Sequence, residues 1–192
     1  VFFQNRQRNA SHYKNTDKSL SEVFNLIKHY TGKNYSAFEY FGHKKAENII
    51  VSMGSSCQTI EEYIQQNPNE KIGLIKVRLY RPFYKELFID TLPKTAKNLV
   101  ILDRCLENQS DAPLFLDINS ALQSQQKQIK TFSGIYGLGG KEFMPDNVHS
   151  IFTLMKDNLI PNNFTVGIID DIDNTSIPVI DYKVKNNKLD SK

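Results

Sequence analysis

Apolar residues in this chain fall into short unbroken runs, with helical stripes and glycine or proline turns between them. The run Asn48-Ile-Ile-Val-Ser-Met53 leads into Gly54-Ser55-Ser56, and a second run, Ile72-Gly-Leu-Ile-Lys-Val-Arg78, follows a helical stretch. The pattern predicts strands over Asn48–Met53, Ile72–Arg78, Leu99–Asp103, Gln128–Phe132 and Phe164–Asp170. Between them the 3.6-residue spacing predicts helices over Thr59–Gln66, Phe83–Thr91, Ala112–Gln125 and Asp146–Asn158. Pro82 and Pro145 stand at two of the entrances, where a missing N–H does no harm. Runs such as Leu99-Val-Ile-Leu102 lack alternation, as expected of strands covered on both faces. Strands alternating with helices call for an α/β three-layer sandwich around a mostly parallel, five-stranded sheet with right-handed crossovers.

The flanks read differently. Residues 1–18 are polar after Val1-Phe-Phe3 and read as a leader, or as the tail of a preceding domain. Ser19 and Glu22 have capping-box spacing, so a helix is expected from there to Thr31-Gly32, with Val23, Phe24, Leu26, Ile27 and Tyr30 mainly on one face. Tyr35–Gly42 reads as a short aromatic connector. The expected division is 1–45 as linker and helical segment from a preceding domain, 46–180 as the α/β domain, and 181–192 as a polar tail. A first residue other than Met points to a start inside a longer polypeptide.

Composition narrows the function classes. Apolar residues make up 40% and charged residues 23% of the 192, a globular balance large enough to bury a core without metal or disulfide. The net charge of +3 is scattered and leaves no basic run that would point to nucleic acid or an anionic membrane. No apolar run reaches the roughly 18–20 residues that cross a bilayer. Cys57 and Cys105 lack zinc spacing, the four histidines stand singly, and reduced thiols in an intracellular protein are expected.

Candidate chemistry is sparse. Gly54 and Ser55 follow the first strand and open a helix, a place where backbone amides can approach a phosphate, although neither dinucleotide nor P-loop spacing is present. A tight turn is the simpler reading. The cluster from Gly134 to Lys141 offers Gly137, Gly139 and Lys141 as a second weak phosphate cradle, against the plainer reading of a loop docked on a neighbouring domain. Asp170, Asp171 and Asp173 read as a solvated acidic loop rather than a cation site. Cys57 opens a helix, but no histidine can be paired with it from sequence, so a buried or capping thiol is expected. No catalytic residue and no metal ligand is expected, and Gly54, Ser55, Gly137, Gly139 and Lys141 are the only cofactor-binding candidates.

The run from Asn48 to Glu62 (NIIVSMGSSCQTIEE) resembles the first β–α segment of domain II of pyruvate:ferredoxin (flavodoxin) oxidoreductases. Ile72–Phe83, Leu92–Lys94, Val100–Arg104, Pro113–Asp117, Tyr136–Gly139 with Lys141–Phe143, and Phe164–Asp171 with Thr175-Ser176 are similar to the same family, in order and spacing. Val1–Gln4, Thr31-Gly32 and Phe38–Gly42 resemble the segment joining domain I to domain II. The resemblance implies a transketolase C-terminal-domain-like fold, in an enzyme that turns pyruvate and CoA into acetyl-CoA and CO2. It implies thiamine diphosphate and iron–sulfur clusters held by other domains of the parent, with ferredoxin or flavodoxin as acceptor. It implies a homo-oligomeric parent in the cytoplasm, or in a hydrogenosome or mitochondrion-like organelle. Two cysteines cannot ligate a four-cysteine cluster, and no thiamine-type Gly-Asp-Gly motif occurs here. The expected role is therefore packing and orientation beside catalytic domains.

The sequence departs from the family pattern at Cys105–Ser110, Ile135, Gly140 and Asp173-Asn174, all at strand-end loops. These changes support an alternative, a divergent non-catalytic relative acting as a structural or interaction module. Such a module would dock through Phe2, Phe3, Tyr35, Phe38, Tyr40 and Phe41.

Overall fold

The computed structural model describes residues 1–13, 16–107 and 110–183, so that of the predicted tail only residues 181–183 are described. The chain runs α1 (Phe2–His12), α2 (Thr16–Thr31), β1 (Phe38–Gly42), β2 (Asn48–Ser52), α3 (Ser56–Gln66), β3 (Ile72–Val77), α4 (Lys85–Thr91), β4 (Asn98–Asp103), α5 (Pro113–Ser124), β5 (Lys130–Ile135), a 3-10 turn (Leu138–Gly140), α6 (Pro145–Lys156) and β6 (Asn163–Thr165). The strands lie in the order β1-β3-β2-β4-β5-β6, with β1 antiparallel to β3 and the rest parallel.

The expected sandwich is there, with α3 and α6 on one face and α4 and α5 on the other. Alternation along the strands feeds both cores. Ile49 and Val51 of β2 join Ile75, Leu99, Ile101, Phe88 and Ile118, while Ile50 joins Ile60, Leu74, Val100 and Ile151. The sheet has six strands rather than five, because Phe38–Gly42 is an edge strand and not a connector. Phe38 and Tyr40 face the α4/α5 core, Phe41 packs against the other, and Glu39 pairs with Arg78 at 2.6 Å. That is the period of two that only a strand has.

Other boundaries shift for identifiable reasons. The last strand stops at Thr165 instead of reaching Asp170, because Gly167 takes a φ of +80° and turns the chain out. Ile169 beyond it is 90% exposed. Strand β5 runs to Ile135, past Phe132, since Gly134 lies inside the strand. The leader contains a helix, α1, none of whose residues is buried. Helix α2 starts at Thr16, so Ser19 and Glu22 sit within it and do not cap it.

Glu47 fastens the amino-terminal edge of the sheet. Its backbone bonds to Lys71 and to Lys97 and Asn98, and its carboxylate meets Lys97 at 2.6 Å and Lys71 at 3.1 Å. Hydrogen bonds from Lys97 and then Lys71 hold its carboxyl below the usual value of 4.5. A carboxyl lowered on folding stabilises above its unfolded value, and that contribution is lost as pH falls through the folded value. Glu47→Gln should therefore flatten the acid limb of a stability-versus-pH curve below about 4.5 and leave the neutral and alkaline limbs parallel to the parent. Urea midpoints across pH 2.5–7 would check this, and an unchanged acid limb would sink it.

Candidate functional site

In an open parallel sheet, ligands gather outside the carboxyl ends of the strands where the winding reverses. Here that point is β2, which has β3 on one side and β4 on the other. The turn after β2 carries Gly54 at φ +75° and delivers Ser56 as the first residue of α3. Ser52 and Ser56 are both buried, and their hydroxyl oxygens lie 2.7 Å apart. Tyr136, just past β5, brings its hydroxyl to 2.9 Å from Ser56 Oγ. Both Tyr136 and Ser56 also donate to the Met53 carbonyl, at 3.3 and 3.2 Å. The turn after β2 is thereby tied to the loop after β5.

The loop after β4 joins them. Arg104 Nε donates to the Gly137 carbonyl at 2.8 Å. Gly137 sits at φ +68°, which favours glycine, and a Cβ there would stand 3.2 Å from Arg104 Nε and push that side chain back by a few tenths of an ångström. Asp103, at the end of β4, is buried and turned the other way. Its carboxylate accepts the backbone N–H groups of Leu114 at 3.3 Å and Phe115 at 3.2 Å. The N-cap of α5 is Ala112, which has no side-chain oxygen to offer, and the strand end supplies one instead. Burial pushes the Asp103 carboxyl up against the pull of these two amides. Asp103→Ala should cost about 1–2 kcal/mol, the usual loss for a helix cap. Urea unfolding would show it, and a loss within experimental error would mean that α5 caps itself.

Three of the predicted candidates come together. Ser55, Gly137 and Lys141, with Arg104, Gln58 and Tyr136, line a hollow of about 320 Å³ at the start of α3. Gly54 opens instead onto a hollow of about 550 Å³ on the far side of that helix start, along with Cys57, Glu61, Lys76 and Arg78. The cations there are already paired, Lys76 with Glu61 at 2.8 Å and Arg78 with Glu39, and Arg78 also stacks 4.6 Å from the Tyr35 ring. Gly139, at φ +62°, faces a third hollow of about 590 Å³ bordered by Met144, Ile169 and Val179. Ser55 also lines the second hollow and Lys141 the third, so the five candidates border three adjoining hollows and share no single one.

Sequence reasoning missed the Ser52–Ser56–Tyr136 tie. The signal was present as two hydroxyls four residues apart at a strand end, together with a tyrosine before a glycine loop. Arg104 holds a backbone carbonyl, a tie that the sequence does not signal. In the acidic loop, Asp171 accepts the backbone N–H groups of Asp173 and Ser176. Among the described residues no three His, Cys, Asp or Glu side chains are grouped to hold a metal ion. Cys57 is 6% exposed, and burial pushes its thiol up to about 11. At pH 8 the thiol therefore stays protonated and a poor nucleophile. A disulfide reagent should titrate one thiol in the native chain and two in urea; two rapid thiols in the native chain would refute the buried assignment.

A model of the pyruvate:ferredoxin oxidoreductase core domain II matches residues 46–148, over half of the chain. The chain belongs to this family. Domain II here is 40% identical over 185 residues to pyruvate:ferredoxin oxidoreductase of Moorella thermoacetica, covering 95% of this chain and 16% of that one. It is 39% identical over 181 residues to pyruvate-flavodoxin oxidoreductase of Nostoc sp., covering 92% of this chain and 45% of that one. It is 37% identical over 179 residues to pyruvate dehydrogenase [NADP(+)] of Cryptosporidium parvum, covering 90% and 9%. The chain thus spans between 9% and 45% of the length of these relatives. A solved 2-oxoglutarate:ferredoxin oxidoreductase from Magnetococcus marinus, with 2-oxoglutarate, coenzyme A and succinyl-CoA bound, overlaps 65% of the chain at 18% identity and a TM-score of 0.45.

Proposed function

We propose that this domain II is a non-catalytic packing and orienting element of a long thiamine-dependent enzyme. That enzyme converts pyruvate and CoA to acetyl-CoA and CO2 and passes the electrons to ferredoxin or flavodoxin. One observation carries the reading: nearly the whole chain aligns at 40% identity with a pyruvate:ferredoxin oxidoreductase of which it makes up 16%. The geometry at the sheet's carboxyl edge supports it. Where a catalytic domain of this type would present free groups, Ser52, Ser56, Tyr136 and Arg104 bond to each other or to backbone carbonyls. Thiamine diphosphate and the iron–sulfur clusters belong to other domains in this reading. The residues present do not fit a cluster, since Cys57 is buried and Cys105 is the one other thiol.

Residues 46–180 form the domain proper in this reading, and residues 1–45 lead in from the preceding one. Helix α2 supports that division with its stripe of Val23, Leu26 and Tyr30, each at least half exposed. The stripe has the spacing of a face that packs on another body. The lead-in nevertheless adds β1 to the edge of the sheet. The parent is a homo-oligomer of the cytoplasm or of a mitochondrion-like organelle, and no helix among the described residues is long and apolar enough to cross a membrane.

The test is the native polypeptide. Its intact mass should be several times 22.1 kDa, and the purified protein should reduce ferredoxin or flavodoxin only when given both pyruvate and CoA. A native mass near 22 kDa would overturn the reading. A long chain with no pyruvate-dependent activity would establish the interaction-module alternative.

A further inference from the structure

After β6 the chain loops out and returns. Ser176 bridges to Thr165, and Ile177 enters the core at 5% exposure while its N–H donates to the Thr165 carbonyl at 3.0 Å. From Val179 to Tyr182 burial alternates. Ile180 and Tyr182 are half-buried against the helices, while Val179 and Asp181 face water. That is the period of an extended segment, yet no strand among the described residues lies beside it.

Helix α6 takes the place of one. The Ile180 N–H donates to Ser150 Oγ at 2.8 Å, and the Tyr182 N–H donates to Asp146 Oδ1 at 3.0 Å. Two residues of extended chain advance about 6.7 Å, and four residues of helix about 6 Å. Side chains one turn apart on α6 therefore match the alternate amides of a segment running the opposite way. The Tyr182 ring then spans to α3, with centroids 4.8 Å from Tyr63 and 5.2 Å from His149. Its hydroxyl donates to Gln66 Oε1 at 3.0 Å and accepts from Asn67 Nδ2 at 2.9 Å.

We propose that residues 179–182, beyond the anchor at Ile177, are a joint that sets the direction in which the polypeptide leaves this domain, with Tyr182 as its latch. The inference deepens the orienting role and rests on it. An orienting domain needs a rigid point of attachment, and this one is fastened to α3 and α6 by side chains. It can therefore open as a unit without breaking the sheet, as segments held by few buried contacts do. Opening frees Lys183 from the orientation of the helices, and closing restores it.

Amide exchange and 15N relaxation on the 192-residue chain test the joint. In the native chain the amides of Ile180 and Tyr182 should exchange at least roughly tenfold more slowly than those of the exposed Ile169 and Ile172. The order parameter of Lys183 should stay above about 0.6. Tyr182→Ala should abolish protection at both amides, although the acceptor of Ile180 is untouched, and should drop Lys183 below that value while β4 keeps its protection. Tyr182→Phe should give an intermediate result. Fast exchange at both amides in the native chain would overturn the proposal, as would an unchanged Lys183 in Tyr182→Ala. Loss of β4 protection in step with the strap, or failure of Tyr182→Ala to fold, would show a piece of the core rather than a joint, and Tyr182→Phe would confirm that outcome by losing both together. The native mass tests the orienting role separately, so each idea can fail without the other.

Discussion

Phe88→Ala should cost about 3–5 kcal/mol, the usual range for a buried phenylalanine. Phe88 has no exposed surface, and its ring lies edge-on to Phe38 at 5.5 Å and tilted to Phe83 at 5.8 Å. Phe38 belongs to β1, so the aromatic group is what presses the antiparallel edge strand onto α4. Removing the central ring opens a cavity bounded by two other rings and by strand backbone, none of which can collapse into it easily. For a protein of this size, with a total stability of the order of 10 kcal/mol, that is a large fraction. The melting temperature should fall by roughly 6–20 °C. Thermal denaturation followed by near-UV dichroism would show it, and a shift under about 3 °C would mean that the cluster repacks around the gap.

The second large effect is expected from adding atoms. A Cβ on Gly134 would stand 2.6 Å from Phe164 Cζ and 2.7 Å from Leu102 Cδ2. Phe164 is 2% and Leu102 1% exposed, so neither has room to retreat. Gly134→Ala should cost about 1–3 kcal/mol, and Gly134→Val should reach or exceed the top of that range. The damage should be felt first where β5 meets β6, a pairing only three residues long. Amide exchange at Phe164 and Val166 should accelerate more than at Leu99 or Val100. Equal acceleration at both places would show that the strain spreads through the whole sheet.

Gly134 also shows why part of the fold was hard to read. Glycine usually punctuates, and its position after Phe132 ended the predicted strand too early. Here the glycine is interior because two large side chains from neighbouring elements occupy the space where its Cβ would be. That fact belongs to Leu102 and Phe164, distant in sequence on either side, and is invisible locally. Strands β2, β3 and β4 were legible because both their faces are covered, so Ile49–Val51 and Leu99–Leu102 are apolar without interruption. Strand β1 was not, since its five residues include an acid and end in glycine, and its partner β3 lies some thirty residues on. The carboxyl-edge site was half legible. Ser55, Gly137 and Lys141 do meet around one hollow, but the ties through Ser52, Ser56 and Tyr136 depend on a separation of 80 residues between the two hydroxyls of one hydrogen bond.

The antiparallel strand has a consequence for where this unit can be cut. The family match begins at residue 46, whereas β1 occupies Phe38–Gly42 and pairs with β3 along its whole length. A polypeptide trimmed to begin at 46 would lose that cover and bare a row of unsatisfied amides and carbonyls on β3. Such a row is a template for strands of other molecules. The shortest soluble version of the unit would therefore start ahead of Phe38, within the very segment that the domain boundary leaves out.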